Sequence, residues 1–224
     1  MTDATLTPRQ AFEQLLEGNA RFAEDRSTKS DQDRSRRAEL AHGQHPFALV
    51  FGCGDSRVAA ELVFDQGLGR LFVVRTAGHV VDAGVLGSVE FGVDLLSIPL
   101  VVVLGHDSCG AVTAGVNALE SGDMPGGFLR DIVERVAPSI LVAQRAGDAS
   151  VPAVLVEHVR QTVRLLAERS PVLAQAVDAG RCAVVGLVYS LDEGRVRLVD
   201  SVGDLGEVGD LGGVVVDGHD VTQG

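Results

Sequence analysis

Basic residues are in short supply. Lysine and arginine number 19 against 31 acidic residues, a formal net charge of −12. Phosphate backbones and anionic bilayers attract basic faces, so this balance argues against nucleic acid and a membrane surface as partners. Long apolar runs are missing as well. The strongest, Ile98 to Leu104, is short and contains Pro99, well under the roughly 18–20 residues that span a bilayer. Cysteines are few and odd in number, at three, which does not suit a disulfide framework and leaves free or metal-bound thiolates. Met1 to Leu6 has no basic stretch leading into an apolar one, so no signal peptide is visible and the cytoplasm is the expected compartment. No glycine-rich phosphate loop follows an apolar run, which makes nucleotide binding a poor reading.

What remains is a globular chain. At 224 residues it suits one domain, and its apolar fraction of 46% excludes a disordered one. Thr7-Pro8-Arg9-Gln10 is a helix start: Thr7 caps, Pro8 fits the first helical position and Gln10 completes a capping box. Phe12, Leu15, Leu16, Phe22 and Ala23 follow a helical period, so this helix carries an apolar stripe that needs covering. Residues 24–45 are polar, with Arg34, Arg36 and Arg37 clustered, and predict a solvated connection with a helical turn or two. Four continuous apolar runs follow: Phe47 to Phe51, Leu71 to Val74, Leu100 to Leu104 and Ala183 to Tyr189. Runs without alternation suit strands buried on both faces, hence parallel strands. Helical patterns at about 57–65, 83–96 and several over 110–178 supply the crossovers that parallel strands require. The class is therefore α/β, a mainly parallel sheet flanked by helices. Asp192-Glu193-Gly194 is a turn signal, and Arg195 to Asp200 predicts a fifth strand, antiparallel and at an edge. From Gly203 the last 22 residues hold seven glycines and five acids with no Lys or Arg. The expected organisation is one domain over 1–203 and a Gly-rich acidic tail over 204–224, in which Val214 to Val216 could add a strand.

Polar clusters stand at two strand ends, where ligands gather in open α/β sheets. Cys53-Gly54-Asp55-Ser56-Arg57 follows the first strand and His106-Asp107-Ser108-Cys109-Gly110 the third. If those strands are neighbours, two thiolates and an imidazole converge beside a carboxylate. Cys and His together suit zinc. Three protein ligands, Cys53, His106 and Cys109, leave a fourth position for water or an anion; alternatively Asp55 fills it and closes the site. Cys182 has no partner cluster and is expected to be a core thiol.

Cys53-x-Asp55-x-Arg57 with His106-x-x-Cys109, together with the runs Phe51 to Val58, Val103 to Ala111 and Phe72 to Gly78, resembles the β-class carbonic anhydrases, most of all their actinobacterial branch. The resemblance covers about residues 7–203. It implies a parallel sheet with an antiparallel extension and zinc on Cys53, His106 and Cys109. It also implies an Asp–Arg pair at Asp55 and Arg57, and reversible hydration of CO2 to bicarbonate. Homodimers or dimer-based tetramers are implied, with the N-terminal helix packing on the neighbouring subunit and covering the stripe. Gln44 matches a glutamine contributed across the interface, and Phe72 a substrate-pocket phenylalanine. Ala77, Phe91 and Gly110 are further pocket candidates. Phe91 replaces a tyrosine of plant-like members. Val50 stands where another branch has a tryptophan within a bicarbonate inhibitory site, and this chain has no tryptophan at all, so that inhibition is not expected. His79 is a candidate proton shuttle or a structural histidine. The rival readings are a carbonyl sulfide or carbon disulfide hydrolase on the same fold, and a non-catalytic zinc or redox-sensing module.

Overall fold

A computed structural model of the chain describes residues 6–28 and 30–206. Helix α1 (Pro8–Ala23) begins with the expected capping box. The Thr7 hydroxyl accepts from the Gln10 amide, and the Thr7 amide donates to Gln10 Oε1. The polar connection contains one short helix, α2 (Arg34–Leu40), capped by Asp33. There follow β1 (Ala48–Cys53), α3 (Ala60–Val63), β2 (Leu71–Thr76), α4 (Ala83–Glu90) and β3 (Leu100–His106). Next come α5 (Gly110–Ser121), α6 (Leu129–Arg145), α7 (Val151–Arg169) and α8 (Pro171–Asp178). The last elements among the described residues are β4 (Ala183–Tyr189) and β5 (Val196–Val202). The single helical pattern expected over 83–96 divides: α4 widens into a π-helical turn over Phe91–Leu95. None of these helices is long and apolar enough to cross a membrane.

The sheet order is β2-β1-β3-β4-β5. The first three pairings are parallel, and β5 runs antiparallel to β4 at the edge, as the turn signal implies. Alternate residues of the central strands face opposite layers. Leu49, Phe51, Val101 and Val103 pack with the helices α4 to α8, whereas Ala48, Val50, Val102 and Leu104 pack with α1 and α3. Both faces are therefore dry, which is why these strands are apolar without alternation. Glycines set how closely α7 approaches. A Cβ on Gly105 would lie 2.5 Å from Val159 Cγ2, and one on Gly186 2.8 Å from Val159 Cγ1.

Two contacts bear on the expected organisation. Part of the α1 stripe is covered by its own chain: Phe12 and Leu15, with Ala11, are buried in the second core cluster, with Ala48, Phe64 and Val185 among its members. Leu16, Phe22 and Ala23 of the same stripe are half-buried. The packed body also runs past the compositional break at Gly203, because Leu205 is buried in the same cluster. The remainder of the tail, Val214 to Val216 included, lies outside the described residues.

Asp65 pins α1 to the turn after α3. Its carboxylate accepts from Arg21 Nε at 2.6 Å, the Thr28 amide at 2.9 Å and the Thr28 hydroxyl at 3.1 Å. Burial pushes its pKa up, but Arg21 and Thr28 outweigh burial and hold it below the usual carboxylate value. A lowered folded-state pKa contributes stability that is full above the unfolded pKa and is lost as pH falls through the folded one. Asp65→Asn should therefore cost about 1–3 kcal/mol at pH 7. In urea titrations the gap between the two proteins should begin to narrow below roughly pH 4, the ordinary aspartate range, and keep closing as pH falls further. A gap independent of pH would remove the charge from this account.

Candidate metal centre

Strands β1 and β3 are hydrogen-bonded neighbours in register, Gly52 beside Leu104. Cys53 and His106 therefore end the two strands at nearly the same level, and the loops beyond them face each other. Cys109 stands just before α5, as its N-cap. The ligand atoms of Cys53, His106 and Cys109 all lie within 4.8 Å of one another, and all three residues are buried. His106 Nδ1 is 2.8 Å from the Asp107 carbonyl. A carbonyl only accepts, so Nδ1 carries the proton and Nε2 presents a lone pair. That Nε2 is buried and without a hydrogen-bond partner. An orphaned imidazole lone pair beside two sulfurs fits a zinc ion, and the carbonyl on Nδ1 is the usual support for such a ligand.

The two sulfurs are 4.0 Å apart. Hydrogen bonding from Cys109 favours the Cys53 thiolate and lowers its pKa; burial opposes this, and the Gly78 amide assists. The same contact pushes the Cys109 thiol up, with burial adding to it. The sulfur–sulfur contact and the Gly78 amide thus favour a thiolate on Cys53 and a thiol on Cys109. Cys182 is buried apart from them, and burial pushes its thiol up to about 12.

Asp55 is gripped by a two-pronged contact. Arg57 Nε donates to Oδ1 at 2.9 Å and Nη2 to Oδ2 at 2.7 Å, while the Arg57 amide donates to Oδ1 at 2.9 Å. These bonds hold the Asp55 carboxyl far below its ordinary range. Arg57 Nη2 also reaches the Ser108 carbonyl, 3.2 Å away, and so ties the first loop to the second. Asp55 Oδ2 is 3.9 Å from His106 Nε2. The carboxylate is therefore beside the ligand group but turned toward Arg57.

The pocket candidates divide by position. Ala77, exposed, adjoins the loop after β1, and Gly110, also exposed, opens α5 next to Cys109. Phe72 is elsewhere. It pairs with Leu49 while Thr76 pairs with Cys53, which puts it four residues, about 13 Å, down the strand from the ligand end. There it stacks on Phe91, ring centroids 6.0 Å apart. Gln44 is exposed in the loop before β1, at the same far end. His79 is fully buried, and burial holds it well below the histidine value, which supports the structural reading of the two.

Two residues near the ligands were not singled out from sequence. Arg75 donates through Nε to the Cys53 carbonyl at 2.9 Å and through Nη2 to the Asp55 carbonyl. A lone charge at the end of an apolar strand was the available signal. Gly78 donates its amide to Cys53 Sγ at 3.3 Å. It is left-handed, at φ 63°, and a Cβ there would lie 2.6 Å from Ala111 Cβ, so only glycine fits.

The chain matches known proteins on this framework. The family model described as carbonic anhydrase matches residues 48–196. A carbonic anhydrase of Mycolicibacterium smegmatis is 55% identical over 201 residues, 90% of this chain and 98% of the relative. The solved β-carbonic anhydrase of Coccomyxa, in complex with acetazolamide, is 27% identical with a TM-score of 0.65, covering 84% of this chain and 86% of that one. A structure of tetrameric β-carbonic anhydrases from Sordaria macrospora is 21% identical with a TM-score of 0.69, covering 86% and 98%, and shows the shared fold.

Metal-free protein at pH 7 should show the far-ultraviolet thiolate absorbance of one cysteine, and Cys53→Ser should remove it. Absorbance from two thiolates would contradict the thiol on Cys109.

Proposed function

The chain belongs to the carbonic anhydrase family, and on that premise we propose that it hydrates CO2 reversibly, to bicarbonate and a proton, at one zinc ion held by Cys53, His106 and Cys109. The observation that carries the metal is the donor set itself: two thiols converging on an imidazole whose Nε2 is buried and partnerless. Bound there, zinc supplies Lewis acidity that draws the pKa of water toward neutrality. Two thiolates and Asp55 outweigh Arg57 by two negative charges, so a divalent cation neutralises the group.

The remaining work falls to the chain. Asp55 stays ionised at every physiological pH because Arg57 grips it, so it serves as a hydrogen-bond acceptor and not as a store for protons. In that role it orients the attacking water so that a lone pair faces the CO2 carbon. Arg57 positions Asp55, and its anchor on the Ser108 carbonyl keeps the two loops at a constant separation. Arg75 holds the Cys53 and Asp55 carbonyls and so fixes the segment that carries both side chains. Ala77 and Gly110 leave an open, apolar approach for a small neutral substrate. A redox-sensing module needs accessible thiols, and both ligand cysteines are buried.

A homo-oligomer completes this reading. Strand β2 is an open edge of the sheet. A two-fold axis across it sets opposite ends of two copies side by side, so Gln44 and Phe72 of a second copy approach the ligand end of the first. There the Gln44 amide can bond a bicarbonate oxygen and Phe72 can wall the pocket. Three buried free cysteines suit the reducing cytoplasm.

Cys109→Ser should lose most of its zinc in metal analysis; full occupancy with full activity would falsify the ligand assignment. Arg57→Ala should keep its zinc while CO2 hydration, followed by stopped flow, drops about 100-fold. Turnover within a few-fold of the parent would remove the Asp55–Arg57 pair from the mechanism.

A further inference from the structure

Two buried imidazoles lie outside the ligand set. His79 follows Gly78, and His158 comes from α7, eighty residues beyond Gly78. Their rings are 4.4 Å apart, and the His79 ring also meets Phe51 edge-on. Burial lowers both pKa values, so each ring is neutral and carries one N–H. The position of that proton in His158 follows from its neighbours. Nε2 is 2.9 Å from the Gly78 carbonyl, which only accepts, so the proton is on Nε2. Nδ1 is then an acceptor, and the Ser139 hydroxyl is 3.0 Å away. Ser139 has a single proton and also faces Gln161 Oε1 at 3.2 Å; the tautomer directs it to Nδ1.

The far end of this chain of bonds is a metal ligand. Gly78 receives His158 on its carbonyl and gives its own amide to Cys53 Sγ. The turn between them is strained. Gly78 and His79 are consecutive left-handed residues, with φ of 63° and 42°, and His79 is not a glycine. Such a turn persists only where its surroundings hold it. The sheet glycines 105 and 186 let α7 approach closely, which brings His158 within reach of the turn.

We propose that His158 is a positioning residue for the Cys53 thiolate: its Nε2–H, oriented by Ser139, holds the Gly78 turn so that the Gly78 amide stays on Cys53 Sγ. An amide held on sulfur fixes where that sulfur sits and where its lone pairs point, and a ligand already in place binds a metal more tightly than one that must first be ordered. The proposal rests on the zinc reading above.

The test uses the full chain, loaded with zinc or cobalt(II), and three variants. His158→Leu keeps apolar bulk and loses the donor; His158→Gln keeps a donor; Ser139→Ala removes the group that orients the ring. The readouts are zinc affinity by chelator competition and the sulfur-to-cobalt charge-transfer band. His158→Leu should weaken zinc binding about 10- to 100-fold and move the band. His158→Gln should return both toward the parent, and Ser139→Ala should fall between. A folded His158→Leu with parental band and affinity overturns the role of His158. So does a His158→Gln that behaves like His158→Leu, since packing and not the hydrogen bond would then be at work. If His158→Leu does not fold, Ser139→Ala decides: a shifted band supports the proposal and an unaltered one overturns it. A parent protein with no thiolate–cobalt band overturns the ligand assignment itself, and this proposal with it.

Discussion

Parallel strands side by side deliver their carboxyl ends to the same edge, and the pairing of β1 with β3 is the constraint from which the site follows. Gly52 opposite Leu104 leaves Cys53 and His106 one and two residues beyond the last registered pair. Both segments then leave the sheet, the first toward α3 on one layer and the second into α5 on the other, and the polar loops meet across the gap. Cys109 needs only three further residues to return to its neighbours. A slip of one residue in that register would send Cys53 to the other face of the sheet. The dry packing of both faces, with Val50 and Val102 on one side and Phe51 and Val103 on the other, opposes any such slip.

Around those ends the protein spends conformational freedom where the chemistry needs rigidity. Ser108 and His79, neither a glycine, both take positive φ beside the ligands. Arg75 grips two carbonyls of the first loop, and Arg57 bridges to the second. Each device works on the backbone more than on the ligand side chains. The thiols and the imidazole are thereby presented in place before any ion arrives, and the cost of ordering them is met during folding.

Much of this was legible in the sequence, for identifiable reasons. Strands buried on both faces must be continuous apolar runs, so β4 was readable to its end residues, Ala183 and Tyr189. The capping box at Thr7 and Gln10 is a local signal and formed locally. Cys53, His106 and Cys109 were readable because their donor atoms are chemically distinctive and their strands are neighbours. The stripe of α1 was readable as apolar, but what covers it is a tertiary matter that periodicity cannot decide. Leu205 belongs to the core although its surroundings are glycines and acids. Arg75 and His158 act through backbone carbonyls brought close by the fold, and a carbonyl has no residue type to read. Gln44 and Phe72, taken from the resemblance, stand at the wrong end of β1 and β2 for a single chain, a separation that strand register alone reveals.

Helix α1 is fastened by the hairpin of β4 and β5. Asn19, buried on α1, donates to the Val63 carbonyl and to the Gly194 carbonyl and accepts from the Val196 amide. These last two bonds bridge 175 and 177 residues. During synthesis α1 leaves the ribosome long before the β4–β5 hairpin, for which its final bonds must wait. Until then Phe12 and Leu15 have only part of their eventual cover, and β4 is absent from the sheet. Contacts of such long sequence separation slow folding and leave apolar surface open to other chains meanwhile. Architecture thus imposes a vectorial hazard: the nascent polypeptide must keep α1 from wrong partners until the 175 residues that follow Asn19 have been made.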